Sequence, residues 1–168
     1  MKKVLVIIAH RGFQDHEFEG TVNGLRGSSY EVRVASTEKG TCVGKFGGEV
    51  EATIALRDVV VDEFDRIAFI GGPGARELMD NPDAHRIAQE TVKAGKVLGA
   101  ICIAPTILAK AGVLRGKRAT VWNEDNQTDQ ILIENGAMYT GEPVTVDGII
   151  VTANGPKAAE EFGKVLAK

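Results

Sequence analysis

The sequence predicts an α/β fold, a three-layer sandwich with a mostly parallel sheet covered by helices on both faces. Three observations carry this. Short apolar runs alternate with helix-like stretches along the chain, as parallel sheets require. Several of these runs are apolar at every position, which suits strands buried on both sides. Glycines gather where predicted strands give way to helices, among the 20 in the chain.

The elements follow in order. Lys3–Ala9 reads as a buried first strand and Asp15–Leu25 as a helix weakened by Gly20 and Gly24. Tyr30–Ser36 alternates as a strand, and Thr41–Leu56, with Gly47-Gly48 inside it, as a hairpin or meander. Arg66–Ile70 is a strand running into Gly71-Gly72-Pro73-Gly74. Asn81-Pro82-Asp83 opens a helix to about Ala94, because an Asn or Asp cap beside proline is a start signal. Lys96–Ile101 is a strand and Ile103–Ala111 a helix; Arg118–Trp122 is a strand, followed by a helix over about Asp125–Glu134. Val144–Ala153 reads as a hairpin with an Asp147-Gly148 turn, and Pro156–Lys168 as a terminal helix with proline in its first turn.

The bulk composition narrows the function classes. A chain of 168 residues fits one domain, residues 1–168, with a core large enough to need no staples. Hydrophobic residues make up 43% and charged residues 26%, ordinary for a globular protein, and the formal net charge is −3. That charge argues against nucleic acid and against acidic membrane surfaces as partners. No apolar run approaches the ~20 residues that span a bilayer. The apolar start at Val4–Ala9 stops at His10-Arg11 instead of a small-residue cleavage site, so a cytoplasmic location is expected. Cys42 and Cys102 are then expected as free thiols. No paired Cys or His spacing suggests a metal site, and no cofactor motif is evident; the loop at Gly71–Gly74 lacks the full dinucleotide-binding spacing.

Cys102 is the residue best placed for chemistry. It ends a predicted strand and precedes a predicted helix, so its thiol lies at the carboxyl edge of the sheet, where open α/β sheets keep their ligand crevices. A helix N-terminus favours thiolate over thiol, and the arrangement is that of a nucleophile elbow with sulfur for oxygen. Position alone leaves two readings open, a reactive thiol or a buried core cysteine. The glycines after the Arg66–Ile70 strand could turn backbone N–H groups toward an oxyanion, or simply form a tight strand exit. The segment His10-Arg11-Gly12-Phe13-Gln14-Asp15-His16-Glu17 leaves the same sheet edge, so a carboxylate there could reach the thiol; the other reading is a charged first helical turn.

Taken together, Phe13-x-Asp15-x-Glu17, Gly71-Gly72, Ala100-Ile101-Cys102-Ile103-Ala104-Pro105 and Ala111-Gly112-Val113-Leu114-Arg115-Gly116 resemble the ThiJ/PfpI superfamily over essentially the whole chain. That superfamily includes intracellular cysteine-peptidase-like proteins and the protein deglycases linked to parkinsonism. The resemblance implies a flavodoxin-like sandwich and a homodimer or higher homo-oligomer. It implies Cys102 as the reactive thiol on a strained backbone, with Glu17, protonated, donating to the thiolate. The N–H groups of Gly72 and Ile103, beside Gly71, would form the oxyanion hole, and Gln14, His10 and Trp122 are further pocket candidates.

The chain departs from the family at two places. Peptidase-like members carry histidine directly after the cysteine, where this chain has Ile103. Deglycase-type members place a histidine at the end of the next strand, and the matching position here is Trp122. Peptidase chemistry needs a base that isoleucine cannot supply. The expected function is glyoxalase- or deglycase-like chemistry on a small carbonyl substrate or a glycated protein, without cofactor. The alternative is a redox-responsive or chaperone-like protein with an oxidisable cysteine. Cys42 is expected to be structural and without a partner.

Overall fold

The computed structural model describes residues 1–168. The chain runs β1 (Lys2–Ile7), β2 (Arg11–Phe13), α1 (Asp15–Leu25), β3 (Tyr30–Ser36), β4 (Gly40–Gly44), β5 (Glu49–Ala52), β6 (Ile54–Ala55) and β7 (Arg66–Phe69). It continues through α2 (Pro82–Lys93), β8 (Val97–Ile101), α3 (Pro105–Lys110), β9 (Arg118–Ala119), α4 (Asp129–Glu134) and β10 (Met138–Tyr139). The hairpin β11 (Val144–Asp147) and β12 (Ile150–Ala153) and the helix α5 (Ala159–Leu166) complete it.

Seven strands form the central sheet in the order β11-β12-β8-β7-β1-β3-β6. Every pairing in it is parallel except that of β11 with β12. Successive side chains of a strand point to opposite faces, and here both faces are apolar. Leu5, Ile7, Ile67 and Phe69 pack with Ile87 of α2 and Ile107 of α3 on one side. Val4, Val6, Ala68 and Ile70 pack with Leu25 of α1 and Phe162 and Leu166 of α5 on the other. This is the sandwich anticipated from the apolar runs.

The chain leaves β1 toward β3 on one side and later returns to β7 on the other. Strand order therefore reverses at β1, and the loops after β1 and β7 diverge to open a crevice at the carboxyl edge. The loop after β8 enters the same crevice.

Some elements differ from the sequence reading. Only Arg118–Ala119 of the predicted strand Arg118–Trp122 forms a ladder, and it pairs with β10 outside the main sheet. The place beside β8 belongs to β12, and β9 is tied to the hairpin through side chains instead. Arg118 N–H donates to Asp147 Oδ2 at 2.8 Å and Thr120 N–H to Thr152 Oγ1 at 3.0 Å. The last hairpin turns on Gly148-Ile149, with Asp147 still paired to Ile150, so the turn lies one residue beyond the expected Asp147-Gly148. The three-residue β2, joined in parallel to β4, lacks the length for a periodic signal.

The glycines of α1 have a tertiary reason. A Cβ on Gly24 would collide with the Glu160 carbonyl oxygen, and one on Gly163 with that of Thr21. Helices α1 and α5 thus touch backbone to backbone, a closeness that any side chain would prevent. Gly24→Ala would gain about 1 kcal/mol of helix propensity on an isolated helix. In this protein it is expected to lower the unfolding free energy by about 1–3 kcal/mol, the cost of overpacking, read from the urea midpoint.

Candidate active site

Glu17 sits in the first turn of α1, and its position is set by the cap before it. Gln14 is the N-cap, its side-chain oxygen accepting from the N–H of His16 at 2.7 Å and of Glu17 at 3.4 Å. The Gln14 N–H donates to the Gly71 carbonyl at 3.0 Å. In return the Gly71 N–H donates to Glu17 Oε2 at 3.1 Å. The helix start and the loop after β7 are thereby laced together. Glu17 is 0% exposed, and its other oxygen, Oε1, has no hydrogen-bond partner. The ionisable group beside this carboxyl is the thiol of Cys102.

Cys102 follows β8 with φ of +62°, a left-handed backbone that non-glycine residues seldom adopt. Such a residue costs about 1–3 kcal/mol and persists only where its surroundings impose it. Here its N–H donates to the Ala153 carbonyl at 2.9 Å and its own carbonyl accepts from the Trp122 N–H at 2.9 Å. Both peptide groups beside the cysteine are held by neighbouring segments. A Cβ on Gly71 would lie 2.6 Å from Cys102 Cβ, and one on Gly72 would lie 2.5 Å from the Gln14 nitrogen. Only glycines let these three segments close around the sulfur.

The electrostatics correct one expectation. The helix after the cysteine begins at Pro105, not Ile103, and has only six residues, so its dipole is remote and short. Burial dominates: it pushes the Cys102 thiol up, the charge and hydrogen bond of Glu17 push the same way, and the N–H groups of Gly72 and Ile103 pull it down. Burial likewise raises Glu17 to about 7, against the hydrogen bonds from Cys102 and the Gly71 N–H and the charge of Lys45. The two groups are coupled acids in one dry place. A thiolate forms there more easily while Glu17 keeps its proton.

Around the pair opens a cavity of about 710 Å³. Of the predicted residues, Gln14, Glu17, Gly72, Cys102, Ile103 and Trp122 line it. Gly71 lies behind them with its N–H engaged by Glu17, so it is not an oxyanion donor. His10 is a correction. It does not line the cavity but lies against Cys42, Nδ1 to Sγ at 3.6 Å. That contact gives Cys42, expected to be alone, a partner. His16 stacks on Phe46 and His85 Nε2 meets the Met79 carbonyl, so no histidine lines the cavity.

Sequence reasoning missed Lys45, Arg76, Asn123, Tyr139, Asn154 and Lys157, which also line it. They arrive on the β4–β5 turn, the loop after β7, the segments after β9 and β12, and β10. Asp15 explains the presence of Lys45: its carboxylate accepts from the N–H of Phe46 and of Gly48, both at 2.8 Å, and ties the hairpin to α1. No group of His, Cys, Asp and Glu has an arrangement suited to a metal ion. No helix is long and apolar enough to cross a membrane.

Comparison with known proteins decides the family. The model of the DJ-1/PfpI family matches residues 2–168. The chain belongs to the DJ-1/PfpI family. It is 34% identical over 154 residues to a deglycase of Pyrococcus abyssi, covering 92% of this chain and 90% of that protein. It is 28% identical over 163 residues to a glutathione-independent glyoxalase of Caenorhabditis elegans, covering 96% and 84%. The crystal structure of a ThiJ/PfpI domain protein from Brachyspira murdochii superposes with a TM-score of 0.93 at 28% identity, covering 98% of this chain and 94% of that one.

Two outcomes follow from the buried pair. Glu17 ionises near 4.5 when unfolded and near 7 when folded. A raised carboxyl costs nothing below the unfolded value, and its cost grows as pH rises to the folded one. Glu17→Gln is therefore expected to stabilise the protein at pH 8 by roughly 3 kcal/mol and to give no such gain at pH 4, measured by urea unfolding at both pH values. The second outcome concerns alkylation of Cys102 against pH. In the wild type the thiol ionises against the charge of Glu17, which is already a carboxylate above about pH 7. In the Glu17→Gln variant that charge is gone and the midpoint should move to lower pH; an unmoved or raised midpoint would contradict the coupling.

Proposed function

We propose that this protein is a cofactor-independent enzyme of glyoxalase or deglycase type, acting on 2-oxoaldehydes or on their early adducts with proteins. The observation that carries this is a sulfur beside a buried, uphill-shifted carboxyl beneath a cavity, with the backbone N–H groups of Gly72 and Ile103 favouring charge on the sulfur. The names of the Pyrococcus deglycase and the Caenorhabditis glyoxalase support the same chemistry.

Cys102 sulfur adds to the aldehyde carbon, and the carbonyl oxygen takes up the thiol proton, giving a hemithioacetal. The N–H groups of Gly72 and Ile103 stabilise the oxyanion on the way. Glu17 as carboxylate removes the hydrogen of that carbon and returns it as a proton to the neighbouring ketone carbon, while the hemithioacetal hydroxyl proton passes to the ketone oxygen. The aldehyde carbon is thereby oxidised to a thioester and the ketone carbon reduced to an alcohol. Water then cleaves the thioester, releasing a 2-hydroxy acid and the thiol. Because its pKa is about 7, Glu17 is available in both protonation states at neutral pH. Without a histidine in the cavity the hydrolytic step must rely on a carboxylate, Glu17, as base, so turnover is expected to be slow.

The missing histidine also supports a second reading, in which Cys102 is oxidised by peroxide to a sulfinate held by Glu17 and the two N–H groups. The two are separated by one pair of measurements. Cys102→Ser should abolish lactate formation from methylglyoxal if the enzyme reading holds, and unchanged turnover would discard it. Intact mass after mild peroxide should show two added oxygens at Cys102, reduced in Glu17→Ala, if the sulfur is a sensor.

A further inference from the structure

We infer that the cavity selects substrates bearing an anionic group, a carboxylate or a phosphate, in addition to the carbonyl. This deepens the reading of Cys102 as nucleophile and rests on it. The charge of the cavity mouth carries it. Lys45, Arg76 and Lys157, from three separate segments, all line it, and all three are exposed. None takes part in an ion pair; those of the chain use Arg33, Arg86, Lys96, Arg118 and Lys164 instead. Lys45 lies over the face of Phe46, 5.3 Å from the ring centroid, and its charge is felt by the buried Glu17 without a direct ion pair. Glu124 is the one carboxylate in the lining besides Glu17.

This balance runs against the chain as a whole, whose formal charge is −3. The lining holds three cations against Glu124 and the buried Glu17. A concave site with an excess of one sign concentrates ligands of the other, by factors of about 10–10³ at the limit of a single sign. Gln14, Asn123, Tyr139 and Asn154 add neutral polar groups to the same wall. A neutral three-carbon oxoaldehyde has no use for three cations. An oxoaldehyde extended by a carboxylate or phosphate would place that group among them while its aldehyde reaches the sulfur.

The test reads charge at Cys102 without requiring turnover. The thiol is alkylated with iodoacetate and, separately, with iodoacetamide, and the ratio of rates is compared with that of N-acetylcysteine. Both reagents meet the same thiolate population, so the ratio cancels its size. The ratio is expected to exceed that of the free thiol by about 10-fold at low salt, to fall with added sodium chloride, and to collapse in the triple variant Lys45→Gln, Arg76→Gln, Lys157→Gln. A wild-type ratio equal to that of the free thiol, or a raised ratio surviving in the triple variant, overturns the inference. Inorganic phosphate and glutarate as competitors rank the two anions, and failure of both to slow iodoacetate selectively overturns it as well. In the turnover arm, 4,5-dioxopentanoate, which the same isomerisation and hydrolysis would convert to 2-hydroxyglutarate, is expected to show a higher kcat/KM than methylglyoxal, through KM. Selective iodoacetate labelling with no turnover of either compound would leave the anion site standing and sink the enzyme reading alone.

Discussion

The buried contact between the Glu17 carboxyl and the Cys102 sulfur is the constraint around which the rest is arranged. Two acids sharing one dry space cannot both ionise cheaply. Each conformational oddity nearby serves to hold them there. The left-handed turn at Cys102 aims the sulfur inward, Gly71 and Gly72 give it room, and the N-cap of Gln14 delivers the first turn of α1 over it. The sheet contributes the switch in strand order that brings all three loops to one edge.

The same contact sets the protonation of the sulfur. Burial and the charge of Glu17 both hold the thiol in its neutral form, against the N–H groups of Gly72 and Ile103. The cost of keeping the two acids together is borne as strain and buried charge. Active sites of this kind trade stability for reactivity.

Much of the fold is legible in the chain. Strands β1, β3, β7 and β8 announce themselves as apolar runs, and α2 by its Asn81-Pro82 start, which the structure realises with Asn81 Oδ1 accepting from the Ala84 N–H at 3.0 Å. The short elements are not legible. Strands β2 and β10 are too brief to show a period, and β9 reads too long because Thr120-Val121-Trp122 has strand-like composition without a ladder partner. In the site, Cys102 is suggested by its place between strand and helix, and Glu17, Gly72, Ile103, Gln14 and Trp122 become candidates through the family resemblance; all six line one cavity. His10 misleads because its position just after β1 says nothing of direction, and the side chain turns to Cys42.

By itself the sequence determined the layering and the family, since hydrophobic period and motif order are local properties written along the chain. It also determined that no histidine follows the cysteine. Only the tertiary structure decided the protonation balance and the charge of the cavity mouth. A pKa depends on how much water is excluded from every side, and three cations hidden in unrelated segments become one field only when folding brings Lys45, Arg76 and Lys157 to the same opening.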